Sequence, residues 1–341
     1  MKTIRVFILG FGVIGQGFAR ILLDKSDYLK ERHGLQLEVA GIAERSGCLI
    51  SKEGGLDLQK VLAQGSSGLS SLPDWQESMN AKEMFADVSG DIAVELVPSN
   101  IETGEPGLSM IRAALESNLH AVSSDKCAVA PNYMELNSLA KEKGLLFLFE
   151  GAAGGGMPVM NLYRECLQVD TVESIKGILN GTTNYILTKM SKGGMDLETA
   201  LREAQELGYA EADPTYDVEG IDAAAKAVIL ANNIMGINAK ISDVKVTGIM
   251  GVTKEAVDLA GKNGYSVKLI ASVKQKNGKT QLLVSPKLVP KGHPLDIDSN
   301  LNAVLFTTDV GRDVTVIGRG AGGQETQSAI FSDVIRIAKE I

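Results

Sequence analysis

The 341-residue chain is poor in the residue types that carry several common chemistries. Its three cysteines, Cys48, Cys127 and Cys166, show no CxxC or CxxxC spacing, so they read as reduced thiols and not as a disulfide framework. Its three histidines, His33, His120 and His293, never cluster with one another or with a cysteine at ligand spacing, which argues against zinc. Basic residues are outnumbered, leaving a formal charge of −8, and this argues against a nucleic-acid partner, which demands a basic surface. No GxxxxGK[ST] occurs, hence no P-loop. Long apolar runs are missing too. The N-terminal stretch is broken by glycines and Arg20 with no small-residue cleavage site after it, and Ala223 to Ile237 is broken by Lys226, Asn232 and Asn233. Neither a signal peptide nor a membrane span is expected, and a soluble cytoplasmic protein is.

The 44% apolar and 22% charged shares are those of a globular protein, and the length suggests two domains. Thr3 to Leu9, Leu37 to Ala43, Asp91 to Val97, His120 to Ser123 and Leu145 to Glu150 read as strands. Helical stretches through Ile21, over Gly107 to Ser117 and over Asn132 to Lys143 alternate with them, which indicates parallel βαβ units. The serine-rich stretch Gly65 to Ser71 reads as a loop. After Pro158 the pattern changes. Val172 to Leu179 reads as a strand, Asp196 to Leu207 and Ile221 to Asn233 as helices, and Lys268 to Lys274 with Thr280 to Val289 as a hairpin around Asn277-Gly278. Val304 to Thr308 and Val314 to Ile317 extend that sheet, and Gln324 to Lys339 is an amphipathic helix. The expected fold is α/β, a Rossmann-type doubly wound parallel sheet with a second α+β domain. Residues 1–130 with 319–341 are expected to form the first domain and 131–318 the second.

Gly10-Phe11-Gly12-Val13-Ile14-Gly15 lies between a buried strand and a helix in the first βαβ unit. There Gly10 makes the tight turn, Gly12 lets a pyrophosphate approach the backbone, and Gly15 lets helix pack on strand. The pyrophosphate then rests on the helix N-terminus, where unpaired N–H groups and the helix dipole favour an anion. The alternative is a turn that merely needs glycine. At the end of the second strand Glu44 would accept from a ribose 2′-hydroxyl and Arg45 would pair with a 2′-phosphate, so NAD and NADP both stay open, with Arg45-Ser46-Gly47 leaning to NADP or dual use.

Two lysines are candidates for chemistry. Lys126 follows the strand His120 to Ser123 at its carboxyl end, where open α/β sheets bind ligands. Lys226 lies four residues after Asp222 on a helix whose other residues are alanine-rich and fit for burial, and a buried lysine with a carboxylate partner is rare without a task. Just upstream, Tyr209, Glu211, Asp213, Asp217 and Glu219 form a carboxylate-rich stretch suited to a substrate ammonium group, or a solvated acidic loop.

GFGVIG near the start, SSDK ending at Lys126, EGAAGGGMP from Glu150, NGTTNYIL from Asn180, GYAEADP from Gly208, DVEGIDAAAK ending at Lys226 and GRGAGG from Gly318 together resemble the homoserine dehydrogenase family along almost the whole chain. The resemblance implies reversible reduction of L-aspartate 4-semialdehyde to L-homoserine, a short form without a regulatory domain, and a homodimer built on the second-domain sheet. It implies that Lys226 donates the proton to the aldehyde oxygen and that Lys126 is a second active-site lysine. Glu211 and Asp222 would hold the amino-acid end of the substrate, and the Gly181-Thr182-Thr183 turn would line the pocket, with Tyr209 and Asp217 beside it. Ser99 and Asn100 would lie near the nicotinamide, and Gly320 would approach the cofactor. Glu150 and the carbonyls of Ala153, Gly155 and Met157 would ligate a monovalent cation such as sodium. From the residues alone that last segment reads equally well as a hinge. Aspartate-semialdehyde dehydrogenase is a rival reading, but Cys127 lacks a histidine base. An inert dinucleotide-binding regulator is another, and it has no use for Lys226.

Overall fold

The N-terminal strand is apolar on both faces and so demands cover on both sides. In the computed structural model, which describes residues 1–276 and 278–341, it lies at the middle of a seven-stranded sheet. The strands are β1 (Lys2–Leu9), β2 (Leu35–Glu44), β3 (Gly47–Ile50), β4 (Trp75–Glu77), β5 (Ile92–Glu95), β6 (His120–Ser123) and β7 (Phe147–Leu148), in the order β4-β3-β2-β1-β5-β6-β7. The pairs from β2 through β1, β5 and β6 to β7 are parallel, as the βαβ pattern requires. β3 and β4 add an antiparallel edge that the sequence did not announce, because strands this short leave too little periodicity to read.

Helices flank this sheet. Phe18 of the Val13–Asp24 helix stacks on Phe331 of the Gly323–Glu340 helix at 4.4 Å, both deep in the core that also takes Ile4, Val6 and Ile8. The C-terminal helix therefore completes the N-terminal unit. The first compact unit comprises Met1–Ala152 and Gly323–Ile341, the second Ala153–Gly322. The expected boundary at 130 falls inside the Lys126–Glu142 helix, whose chain leads directly into β7 of the same sheet, and the return at 319 falls at the last residue of a strand of the second unit. Two local readings are corrected. The helix begins at Lys126, not Asn132, because Asp125 caps Cys127 N–H at 2.9 Å and the helix tolerates Pro131 in its second turn. Gly65 to Ser71 is not a loop: Leu58–Gly68 is helical apart from a kink at Gly65, with φ of 62°, and Leu69–Ser71 is a 3-10 turn.

The second unit is built on a six-stranded sheet of β8 (Val172–Ile178), β9 (Lys245–Val246), β10 (Tyr265–Lys276), β11 (Lys279–Pro290), β12 (Leu301–Thr308) and β13 (Asp313–Arg319), in the order β13-β12-β8-β10-β11-β9. All its pairs are antiparallel except β11 with β9. Asn277 of the expected hairpin turn lies outside the described residues; Gly278, with φ of 73°, takes the left-handed conformation such turns demand. The Ile221–Met235 helix is buried almost all round, which its run of small apolar side chains permits. The expected Gly181-Thr182-Thr183 turn is the opening of a second buried helix, Gly181–Gly193, capped by Asn180, whose side chain accepts from Thr183 N–H at 2.9 Å.

If the C-terminal helix is integral to the first unit, Phe18→Ala removes its central contact and should cost about 3–5 kcal/mol. Denaturant unfolding followed through Trp75, the one tryptophan, reads this unit directly. A loss below about 1 kcal/mol would refute the packing.

Candidate active site

Each unit carries its own constellation. In the first, Gly10 has φ of 94°, and a Cβ there would press on Val97 Cγ1 at 2.7 Å. A Cβ on Gly15 would run into the Gly10 carbonyl oxygen. Both glycines are thus demanded by the protein itself. Gly12 is different: its backbone is extended (φ −70°, ψ −157°) and a Cβ there meets nothing within 4 Å. The protein's own packing therefore does not demand glycine at Gly12. It is also the N-cap of the Val13–Asp24 helix, with no side-chain cap and no acidic residue in the first turn, so the positive helix end stays uncompensated. Phe11 is fully buried and Val13 exposed, and the next residue, Ile14, packs on the core.

Glu44, ending β2, accepts from Phe11 N–H at 2.6 Å and from the Ser66 hydroxyl at 3.3 Å. The carboxylate thereby braces the glycine loop. Arg45 and Ser46 form the exposed two-residue turn to β3. On the other side of β1, Ser99 accepts from Gly107 N–H at 2.9 Å, and the Asn100 side chain accepts from Glu102 and Thr103 N–H, closing its own loop. Lys126 stands half-buried in the first turn of its helix.

The second constellation centres on Lys226, which is 7% exposed. Its Nζ donates to Asp222 Oδ2 and to the Leu179 carbonyl, both at 2.9 Å. Asn180 is the residue that sequence reasoning missed as a site residue. Its Nδ2 donates to Asp217 Oδ1 at 2.6 Å and to Asp222 Oδ2 at 2.9 Å, while its Oδ1 accepts from Thr183. One amide thus ties two carboxylates to a helix start, and the signal available was an Asx residue immediately ahead of a helix. Asp217 is held above the usual carboxylate range by burial and then by Asp222, with Asn180 working the other way.

The remaining expected residues spread around this centre. Thr182 donates its hydroxyl to the Tyr209 carbonyl at 2.7 Å, and the Tyr209 ring packs on Tyr185 at 4.9 Å. A Cβ on Gly181 would meet the Asn300 carbonyl at 2.7 Å. Glu211 is exposed, its carbonyl accepting from Gln205 at 3.1 Å, and its carboxylate has no ion pair among the described residues. Gly320 lies in this unit, packed against Asn302 and Gly155. Of the expected cation ligands, Glu150 belongs to the first unit and Ala153, Gly155 and Met157 to the second. Among the described residues no group of three or more histidine, cysteine, aspartate or glutamate side chains is arranged to hold a metal.

A parallel sheet with a glycine loop at an uncapped helix N-terminus, joined in one chain to a buried Lys–Asp pair, defines a nicotinamide-dependent oxidoreductase. Comparison with known proteins gives the family. The family model described as "Homoserine dehydrogenase, NAD binding domain" matches residues 10–150, and that described as "Homoserine dehydrogenase" matches residues 158–335. A homoserine dehydrogenase of Methanocaldococcus jannaschii is 47% identical over 334 residues, covering 97% of this chain and 98% of its relative. An NAD(+)-dependent homoserine dehydrogenase of Pseudomonas canavaninivorans is 34% identical, covering 99% and 97%. A hyperthermophilic archaeal homoserine dehydrogenase solved in complex with NADPH superposes with a TM-score of 0.83 at 30% identity, covering 100% and 99%. The chain belongs to the homoserine dehydrogenase family.

The glycine geometry separates two substitutions. Gly12→Ala should leave thermal stability within about 0.5 kcal/mol of the parent, yet weaken NADPH binding on the order of tenfold or more, because the new methyl group stands where the pyrophosphate must come. Gly15→Ala should lower stability outright. Melting curves and NADPH fluorescence titrations check both, and normal binding by Gly12→Ala would sink the assignment of the loop.

Proposed function

We propose that the protein interconverts L-homoserine and L-aspartate 4-semialdehyde with a nicotinamide dinucleotide, Lys226 serving as proton donor and acceptor. The observation that carries this is the state of Lys226: a buried ammonium with two of its three N–H donors committed, to Asp222 and the Leu179 carbonyl. The third can bond the oxygen of a substrate aldehyde. The cofactor, when bound, supplies or removes the hydride. As hydride reaches the carbonyl carbon, negative charge grows on that oxygen, and a preplaced ammonium both stabilises it and yields the proton. Asp222 keeps the charged nitrogen in place, and Asn180 keeps Asp222 in place. Asp217 and Glu211 supply carboxylates for the substrate's ammonium group, and the Gly181–Thr182 helix opening supplies backbone N–H groups for its carboxylate. Lys126, at the carboxyl end of β6, is the second active-site cation in this reading. Ser99, Asn100 and Gly320 fall on the cofactor side.

Both NAD and NADP fit the glycine loop, and the reading favours NADP or dual use. Glu44 has one oxygen engaged by the loop itself, and Arg45 is exposed beside it. Glu150 is a buried carboxylate, a hard oxygen donor of the kind sodium prefers. A homodimer through the second sheet is part of the reading, supported by the exposed apolar Leu288, Val310 and Ile317 on or beside its strands. Cys48, Cys127 and Cys166, none of them in a disulfide, suit the reducing cytoplasm, and no helix is long and apolar enough to cross a membrane among the described residues.

Spectrophotometric assay of homoserine oxidation with NADP tests the reaction. Lys226→Ala should lose at least ~10²-fold in kcat while still binding NADPH, which confirms that the first unit is intact. A variant as active as the parent, or a parent inert toward homoserine, defeats the proposal. Arg45→Ala should raise the KM for NADPH much more than that for NADH; equal effects would remove Arg45 from cofactor selection.

A further inference from the structure

The loop after β5 and the loop after β6 hang from one buried carboxyl group. Glu95, the last residue of β5, is 1% exposed. One of its oxygens accepts from Val97 N–H at 2.8 Å; the other accepts from the Ser123 hydroxyl, at the end of β6, at 2.6 Å. Ser123 Oγ in turn accepts from Asp125 N–H at 3.0 Å, and Asp125 caps the helix that starts with Lys126. Ser99, two residues beyond Val97, stands against Asp125: a Cβ on Gly107 would lie 2.6 Å from Ser99 Oγ and 3.1 Å from Asp125 Oδ2.

We propose that Glu95 is a positioning residue for the reaction: through Ser123 it fixes the turn that presents Lys126, and through Val97 it fixes the strand end facing the cofactor. The inference rests on the role given to Lys126 above. A hydrophobic side chain would fill the same space at lower cost, since an isolated buried carboxyl group is expensive unless its bonds are needed. Here both oxygens are spent on the two loops.

The charges around it give the test its signature. Burial pushes the Glu95 carboxyl up to about 8, and Asp125, the charged group facing it, adds to the rise. Asp125 is itself raised by burial, against the Ser99 hydroxyl, the cap N–H groups and Lys126, which draw it down. At neutral pH the Glu95–Ser123 link is therefore held by a protonated acid, whose O–H can donate to Ser123 Oγ across the same 2.6 Å. As pH rises through about 8 a second negative charge enters a dry volume beside Asp125, and the two loops are pushed out of register. The same linkage acts on stability. The folded-state value lies above the usual 4.5, so the contribution is fully present below that value and lost as pH rises through about 8.

NADPH affinity of the whole protein, measured by fluorescence from pH 6.5 to 9.5, should fall about tenfold across the step in the parent. In Glu95→Gln, which keeps the shape and cannot ionise, the affinity should be flat. The melting temperature of Glu95→Gln should gain on the parent from pH 5 to 8.5 by the same logic. If Glu95→Gln fails to fold, Ser123→Ala, which cuts the link and leaves the acid, should halve the slope or better. A flat parent profile, or an equal slope in parent and variants, overturns the proposal. A parent with the expected slope but no homoserine oxidation would defeat the reaction assigned above and leave the Glu95 clamp standing.

Discussion

A lysine ammonium and a carboxylate removed from water owe several kcal/mol each in lost hydration, and the second unit is arranged around meeting that debt. Lys226 and Asp222 sit one helical turn apart, so the pair is fixed by the helix and not by flexible stems. Their mutual attraction alone does not suffice. Asp222 also accepts from Asn180, and Lys226 also donates to Leu179 O, the carbonyl just before Asn180. The polypeptide from Leu179 to Thr183 is thus the counterpart of the ion pair, contributing a carbonyl to the cation and an amide to the anion. That requirement explains why β8 ends where it does and why the next helix opens on asparagine.

The first unit has a different constraint, the need to leave charge out. The glycine loop presents bare N–H groups at a helix end with no acidic neighbour in the first turn. Glu44, the carboxylate that does come near, is engaged by Phe11 N–H and so reinforces the loop. A dianionic pyrophosphate would meet the helix-end donors, with Glu44 already held by Phe11 N–H. The three glycines differ: Gly10 and Gly15 serve the turn's own sterics, while a Cβ on Gly12 would meet nothing within 4 Å.

Much of this was legible in the sequence, for identifiable reasons. β1 was plain because six of the seven residues from Thr3 to Leu9 are apolar or β-branched, and the glycine loop because its spacing is tied to a strand and a helix. Lys226 stood out because charge is conspicuous among alanines. What escaped had no periodic or compositional mark. β3 and β4 are too short for alternation to show, and Pro131 hid a helix start that depends on the Asp125 cap. The serine-rich Gly65 to Ser71 looked like loop because serine competes with helical hydrogen bonds, yet packing of Leu58, Val61 and Leu69 overrode that preference. Asn180 and Glu95 were invisible for a common reason: each works through contacts to residues far away in the chain, and spacing carries no trace of them.

Comparing these two residues shows how differently the units handle a buried acid. Asp222 is buried with a cation and an amide, and charge is what makes it useful, since it keeps the Lys226 ammonium where a reacting oxygen would need it. Glu95 is buried beside another acid, Asp125, and its raised pKa keeps it protonated at neutral pH. It is useful as a neutral link between two loops. The first arrangement tolerates no neutral substitute, because removing either partner strands the other in a dry site. The second tolerates one, because glutamine keeps the shape and the bond from Val97 N–H and can turn an N–H toward Ser123 Oγ, without the charge.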